Sequence, residues 1–400
     1  MQDSLTLSSA DTLVESGGLA LSATPAEVRM VTTHAQFLAL APDWDALVTR
    51  CNDQVFYRHG FVRLWLEQFA PGAQLRILTL IDCMGRLTAV LPLLAVRGRI
   101  CGVPVRVLQC AANLHSCRYD LVADDPATAA AAFVAHLRQR RDWDVLRLID
   151  VPVDGRAAAL SGAARRAGLL AGDWLSQHSP YGVLPTSAAA FDAALPRRLR
   201  SSLGRRRRRL AQLGEVSIER YAGGGALAAR LAEGLALEAR GWKGRAGTAI
   251  QQDAATLAFY RGLAEYAARQ GGLALWFLRL DGRAIAFDFN LEYRGRLLLL
   301  KTAYDEAFAK YSPGQLLLHE ELRDAAERGL RECDFLGPST QAKRDWTSLA
   351  RAHHWIFLFR GARGRLVYWL KFHCAPWFKR AARAMRRGAG PAASNSREKS

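Results

Sequence analysis

Apolar and polar positions change period several times along the chain, and each change marks an element. In "SPGQLLLHEELRDAAERGL" (312–330), Leu316, Leu317, Leu318, Leu322, Ala325 and Ala326 fall on one helical face. Ser312 as N-cap and Pro313 at the first turn read as start signals, and Gly329 reads as a stop. In "LRLDGRAIAF" (278–287) the period falls to two, and Asp281-Gly282 is a two-residue hairpin signal.

The patterns repeat. "VFYRHGFVRLWLEQFAPGAQLRILTLIDCMGRLTAVLPLL" (55–94) lines up with "AFYRGLAEYAARQGGLALWFLRLDGRAIAFDFNL" (258–291): a helix, a strand, a turn at Gly85-Arg86 or Gly282-Arg283, then a second strand. Downstream, 125–152 and 312–338 each read as an apolar-faced helix followed by a strand. The shared order predicts a tandem duplication of one α+β unit. The expected division is a disordered 1–27, an N-terminal lobe over 28–185, a C-terminal lobe over 186–375 and a basic tail over 376–400.

Positive charge concentrates in two places. Of a formal net charge of +18, much sits in "PRRLRSSLGRRRRRLAQLGE" (196–215) and in "KFHCAPWFKRAARAMRRG" (371–388). The first predicts an amphipathic helix over 197–213, with Arg198, Arg205, Arg208 and Arg209 on one stripe, suited to phosphate or to solvent. The second mixes aromatic and basic residues and predicts peripheral contact with an anionic membrane, ahead of contact with nucleic acid.

Seven cysteines without a C-x-x-C pair fit a reducing compartment. Cys110, His115 and Cys117 lack an evident fourth ligand, and no metal is expected. There is no secretory signal pattern and no apolar run long enough to span a bilayer. A cytoplasmic protein is expected, peripheral on the inner face of the membrane if the tail binds lipid.

The stretches "LEARGWKGRAGTAI" (237–250), "LLLLKTAYDEAFAKYSPGQLLLHEEL" (297–322) and "GLRECDFLGPSTQAKRDW" (329–346), with the hairpin above, resemble bacterial GNAT-type acyltransferases of the CelD/BcsL-like branch, related to the FemAB peptidyltransferases. The motifs are Trp242-Lys243-Gly244, Gly282, Lys301 with Tyr304-Asp305, Ser312-Pro313-Gly314, Asp334 with Gly337, and Lys343. The resemblance covers about 45 to 375 and implies two tandem GNAT-like (acyl-CoA N-acyltransferase) domains. Each would be a mixed, mostly antiparallel sheet flanked by helices.

The resemblance implies an N-acyltransferase that moves an acyl group from acyl-CoA, as co-substrate, to an amine of a sugar, lipid or peptide. The process would be cell-envelope, exopolysaccharide or cellulose biosynthesis. Tyr311, Ser312, Pro313, Gly314 and Gln315 would hold the CoA pyrophosphate on backbone N–H groups, although Pro313 cannot donate and the turn has fewer glycines than usual. Asp288, which the alternation of "AIAFDFNL" can point inward, and Tyr304 and Asp305 at a strand end are the catalytic candidates. Each has an ordinary reading: Asp288 on a solvent face, Tyr304 in a core, Asp305 in a turn.

Glu238, Trp242, Lys243, Lys301, Lys343 and Trp346 would wall the substrate site. The N-terminal lobe lacks a Ser-Pro-Gly turn, and Asp124-Asp125 before its helix would repel phosphate, so that lobe is expected to be degenerate. Two rivals are carried: an aminoacyl-tRNA-dependent FemAB-like transferase, and a non-catalytic scaffold on membrane or nucleic acid.

Overall fold

A computed structural model describes residues 26–374; the Ser/Ala-rich start and the basic tail lie outside the described residues, apart from 371–374. The N-terminal lobe opens with β1 (Glu27–Val31) and helices α1 (His34–Ala39), α2 (Ala41–Arg50) and α3 (His59–Phe69). Strands β2 (Gln74–Leu75), β3 (Ile77–Ile81), β4 (Leu87–Leu91), β5 (Leu93–Ile100), β6 (Val103–Cys110) and β7 (Val122–Ala123) follow. Helix α4 (Pro126–Gln139), β8 (Val145–Pro152), α5 (Ala158–Arg166) and the long β9 (Leu170–Val183) complete it.

The second half runs through α6 (Ala188–Ala194), the Arg-rich α7 (Arg197–Ala211), β10 (Val216–Tyr221), α8 (Leu227–Arg240), α9 (Trp242–Arg245) and α10 (Ala254–Arg269). Strands β11 (Leu273–Leu280), β12 (Arg283–Tyr293) and β13 (Arg296–Tyr304) follow. Helix α11 (Pro313–Glu327), β14 (Glu332–Asp334), α12 (Gln341–Arg344), β15 (Ala350–Phe359) and α13 (Gly361–Trp369) end the described chain.

This is an α+β architecture of mixed sheets flanked by helices. The duplicated hairpins are β3–β4 and β11–β12, antiparallel pairs turning at Gly85 (φ 78°) and Gly282 (φ 75°). Asp281 also has a positive φ, 47°, as a type I′ turn requires at both central positions. Strand β11 is buried along its whole length because both faces are covered. Leu275 and Phe277 belong to the core that includes residues of α8 and α10, and Ala274, Trp276 and Leu278 to the core that includes residues of α7 and α11.

Helix α11 buries all six apolar residues of its predicted face. Ser312 occupies the N-cap position but makes no side-chain cap; it adopts a left-handed conformation (φ 51°) instead. Helix α7 ends at Ala211 and buries Leu203 and Leu210, leaving most of its arginines exposed.

The two halves are not cleanly divided near residue 185. Strand β15, late in the chain, lies between β9 and β8 of the N-terminal lobe, pairing antiparallel with both. Strand β9 in turn pairs through Tyr181–Val183 with β14. One sheet therefore runs continuously, in the order β10-β11-β12-β13-β14-β9-β15-β8-β6-β5-β2, beside a four-stranded sheet β1-β3-β4-β7. The buried pair Arg118–Asp334 adds a polar tie between the halves.

Candidate functional site

Strands β13 and β14 run parallel but pair only from Arg296 to Leu298 against Glu332 to Asp334. Strand β14 ends there while β13 continues to Tyr304, so the outer edge of β13 from Leu299 onward has no strand partner among the described residues. A register shift opposite Phe289 and Asn290, which face Lys301 and Leu299, makes Leu300 the extra residue of a bulge. The split opens a cavity of about 700 Å³. Six consecutive residues, Leu299 to Tyr304, line it, so the cavity wraps around a bare strand edge and reaches both faces of the sheet.

The start of α11 forms one wall, with Ser312, Pro313, Gly314 and Gln315 all lining the cavity. The N–H groups of Gln315 and Leu316 donate to the Ser312 carbonyl (3.0 and 3.2 Å), and Ser312 N–H donates to Ala309. Pro313 has no N–H, which leaves Gly314 N–H as the first-turn donor without a backbone acceptor among the described residues. A Cβ on Gly314 would stand 3.8 Å from Tyr304 Cδ1 and 3.9 Å from Thr302 Oγ1, so glycine keeps this wall open. The matching helix of the first lobe is closed instead: Asp125 caps α4 through the N–H groups of Ala127 and Thr128. There Asp124 is held by Arg50.

Asp288 lines the cavity yet is only 4% exposed. Burial pushes its carboxyl up to about 7, against the opposing pull of a Thr302 hydrogen bond and the Lys243 charge. Glu321 of α11 is buried with it and is pushed well above the usual carboxylate range, by burial first and by the Asp288 charge second. Asn290 Nδ2 donates to Glu321 Oε2 (2.8 Å), while Asp288 Oδ1 and Glu321 Oε1 find no other partner among the described residues. Two buried carboxyls that cannot both ionise share a proton at neutral pH.

On the other face of the β13 edge, Lys243 Nζ donates to Glu238 Oε1 (2.9 Å) and to the Thr302 carbonyl (2.8 Å). Ile250 N–H occupies Glu238 Oε2 (3.0 Å). Lys343 Nζ donates to the carbonyls of Leu336 and Pro338, fixing a loop in which Leu336 and Gly337 have positive φ. Lys301 stands over the Tyr260 ring, 5.3 Å from its centre. Leu114 and Cys117 bring the first lobe into the wall.

The cavity thus gathers Asp288, Tyr304, Ser312, Pro313, Gly314, Gln315, Glu238, Lys243, Lys301 and Lys343 from the sequence-derived set. Asp305 stays outside: its carboxylate caps the following turn through Ala307 N–H and pairs with Arg283, the ordinary turn role. Tyr311 is buried beneath Arg209 and Lys310 rather than facing the cavity. Trp346 stays behind the wall, donating its indole N–H to Gln315 Oε1 (2.7 Å), so it positions a wall residue. Trp242 opens α9; its side chain lies outside the described set.

Sequence reading missed Asn290, Thr302 and Glu321. Glu321 carried a signal, since it falls one helical turn from both Leu317 and Ala325 in an otherwise apolar stripe. Cys110 is buried, His115 stacks on Phe69, and no group of three metal-ligating side chains occurs among the described residues. No described helix is long and apolar enough to cross a membrane.

Comparison with known proteins fits this geometry. Residues 197–344 match the family described as "Acetyltransferase (GNAT) domain". Residues 197–344 therefore carry a GNAT acetyltransferase domain, and the protein is an acyltransferase. The solved structure of FemX is similar over 86% of this chain and 99% of its own, with TM-score 0.56 and 13% identity. A C-terminal domain (DUF2156), described as that of a lysylphosphatidylglycerol synthetase from Agrobacterium fabrum, is similar over 84% and 95%, with TM-score 0.51 and 13% identity. A conserved protein of unknown function from Bacteroides thetaiotaomicron is similar over 84% and 100%, with TM-score 0.52 and 10% identity. At such identities the likeness is one of fold. No curated protein matches the sequence.

Proposed function

We propose that the protein transfers an acyl group from acyl-CoA to the amine of a sugar, lipid or peptide during envelope or exopolysaccharide assembly. The observation that carries this reading is the split between β13 and β14: it places an uncapped helix start on one side of a bare strand edge and a buried acid within the same cavity. Gly314 N–H and the positive end of α11 suit a pyrophosphate. The degenerate first lobe, whose corresponding helix start is closed by Asp125, supplies wall rather than donor site.

In this reading Asp288, directly or through a water, takes a proton from the acceptor amine. The amine nitrogen bonds to the thioester carbon, and a backbone N–H on the free edge of β13 stabilises the oxyanion. As the C–S bond breaks, Tyr304 O–H gives its proton to the leaving sulfur. Ser312 and Gln315 shape the turn that receives the carrier, while Glu238 and Lys243 hold the opposite lip. The resemblance to exopolysaccharide acyltransferases supports the sugar acceptor, and the fold shared with the domain described as a lysylphosphatidylglycerol synthetase supports the lipid one.

A second reading rests on α7, whose exposed arginines lead to Arg209, stacked 5.8 Å over the Tyr311 ring beside the α11 turn. That stripe suits the longer phosphate backbone of an aminoacyl-tRNA. Thermal-shift titration with CoA, acetyl-CoA and total tRNA separates the readings. Stabilisation by the CoA compounds supports the first. Stabilisation by tRNA alone, weakening steeply with salt, supports the second, and neither response sinks both.

A further inference from the structure

Of the three lysines in the cavity wall, two have their ammonium groups satisfied from within the protein: Lys243 by Glu238 and a carbonyl, Lys343 by two carbonyls. Lys301 is different. Among the described residues it has no carboxylate within ion-pair distance and no hydrogen-bond acceptor, only the Tyr260 ring at 5.3 Å. The nearby acid, Glu238, makes no hydrogen bond or ion pair with it; its two oxygens accept from Lys243 Nζ and Ile250 N–H.

Two further neighbours, Cys117 and His115, bring no negative charge at neutral pH. Burial holds the Cys117 thiol up at about 11 and the His115 imidazole down at about 4. A half-buried cation without a counter-ion is unfavourable unless a ligand provides one.

Position narrows the choice of ligand. Lys301 pairs in register with Phe289, whose ring packs on Tyr260, whereas Thr302 pairs with Asp288. Successive side chains on β13 face opposite sides. Lys301 thus faces the side walled by Tyr260 and the first lobe's Cys117, away from the start of α11 that would hold the donor's phosphates. One ammonium on a ring matches a single negative charge; a phosphate dianion ordinarily draws several donors.

We infer that the acceptor carries a carboxylate as well as its amine, and that Lys301 binds this carboxylate on the first-lobe side of the cavity, so that the substrate is an amino acid, a peptide end or an amino-sugar acid. This rests on the acyl-transfer reading of the same cavity. The carboxylate anchors one end of the acceptor while the amine meets the thioester at the bare edge of β13. Lys301 is a specificity residue in this scheme; it takes no proton and forms no bond to the acyl group.

The test uses the whole chain and pairs of compounds that differ by the carboxylate: phenylalanine against phenethylamine, and lysine against cadaverine. Phenyl phosphate serves as the dianion arm. Binding is followed by thermal shift and calorimetry without CoA, and CoA is titrated separately, so that failure of the donor reading shows in the CoA arm alone. The expected result is that the carboxylate members bind more tightly than their amines. Lys301→Met should weaken them by about tenfold or more, Lys301→Arg should retain them, and CoA affinity should be unchanged in both variants. The inference is overturned if the amines bind as well as the amino acids, if no carboxylate binds to the wild type, or if Lys301→Met leaves carboxylate binding intact. Preference for phenyl phosphate over every carboxylate overturns it equally.

Discussion

Asp288 is where burial and chemistry meet most directly. A carboxyl raised to about 7 by its surroundings is poised to accept a proton near neutral pH. Asp288→Asn should lower kcat by about 10²–10⁴-fold with little change in acyl-CoA affinity, as steady-state kinetics would show. Because the base must be ionised to act, kcat/KM should rise with pH through about 7. The sign for stability is opposite. The folded chain keeps a proton that the unfolded chain releases near 3.8, so Asp288 withdraws stability as pH climbs from there to about 7. Asp288→Asn should therefore gain in melting temperature over the wild type above neutral pH and not at about pH 4. Of this site, Asp288 was legible from its place in an alternating strand. Its partner was harder to see, because a glutamate on a helix usually marks the solvent side and only the phase of the stripe puts Glu321 inside.

Among the elements, α9 is tied to α8 and to the edge of β13 through Lys243. A Cβ on Gly244 would fall 1.7 Å from the Ala239 carbonyl oxygen, a backbone atom that cannot step aside, so Gly244→Ala must displace α9. Lys243 would then lose its hold on Glu238 and on Thr302 at the strand edge. Acyl transfer should fall while calorimetric CoA affinity holds, because the helix start on the far side is untouched. Hairpins β3–β4 and β11–β12 and the helix before β14 were readable because turn chemistry and apolar period are local. The three-residue β14 carries too little pattern to announce itself, and the length over which it pairs with β13 decides whether a cavity exists. Asp305 shows the limit from the other side: its motif resembles a catalytic strand end, and its hydrogen bonds make it a cap.

In the whole molecule, two of the features that bind the lobes can be tested. Asp334, fully buried, accepts from Arg118 of the first lobe, from Arg351 of β15 (3.1 Å) and from Leu336 N–H (3.0 Å). Asp334→Ala leaves a buried guanidinium without its carboxylate and should destabilise the fold by about 3–5 kcal/mol in denaturant titration. The second feature is β15, which fills the slot between β8 and β9. Residues 27–185 expressed alone lack that strand and should fail to give a cooperative unfolding transition, whereas the full chain should unfold with both lobes together. The duplication was legible as element order, but the exchange of a late strand into the early lobe was not, since no local pattern says which sheet a strand joins.

In the function we propose, the turn before α11 receives an activated carrier at the split between β13 and β14. Calorimetric titration of acetyl-CoA into the wild type and Gly314→Val tests it most directly, because the added side chain projects toward Thr302 and Tyr304 across the cavity wall. Saturable binding by the wild type, weakened by about tenfold or more in a variant that melts normally, is the expected result. Equal affinity in the two proteins, or no binding by the wild type, would contradict it.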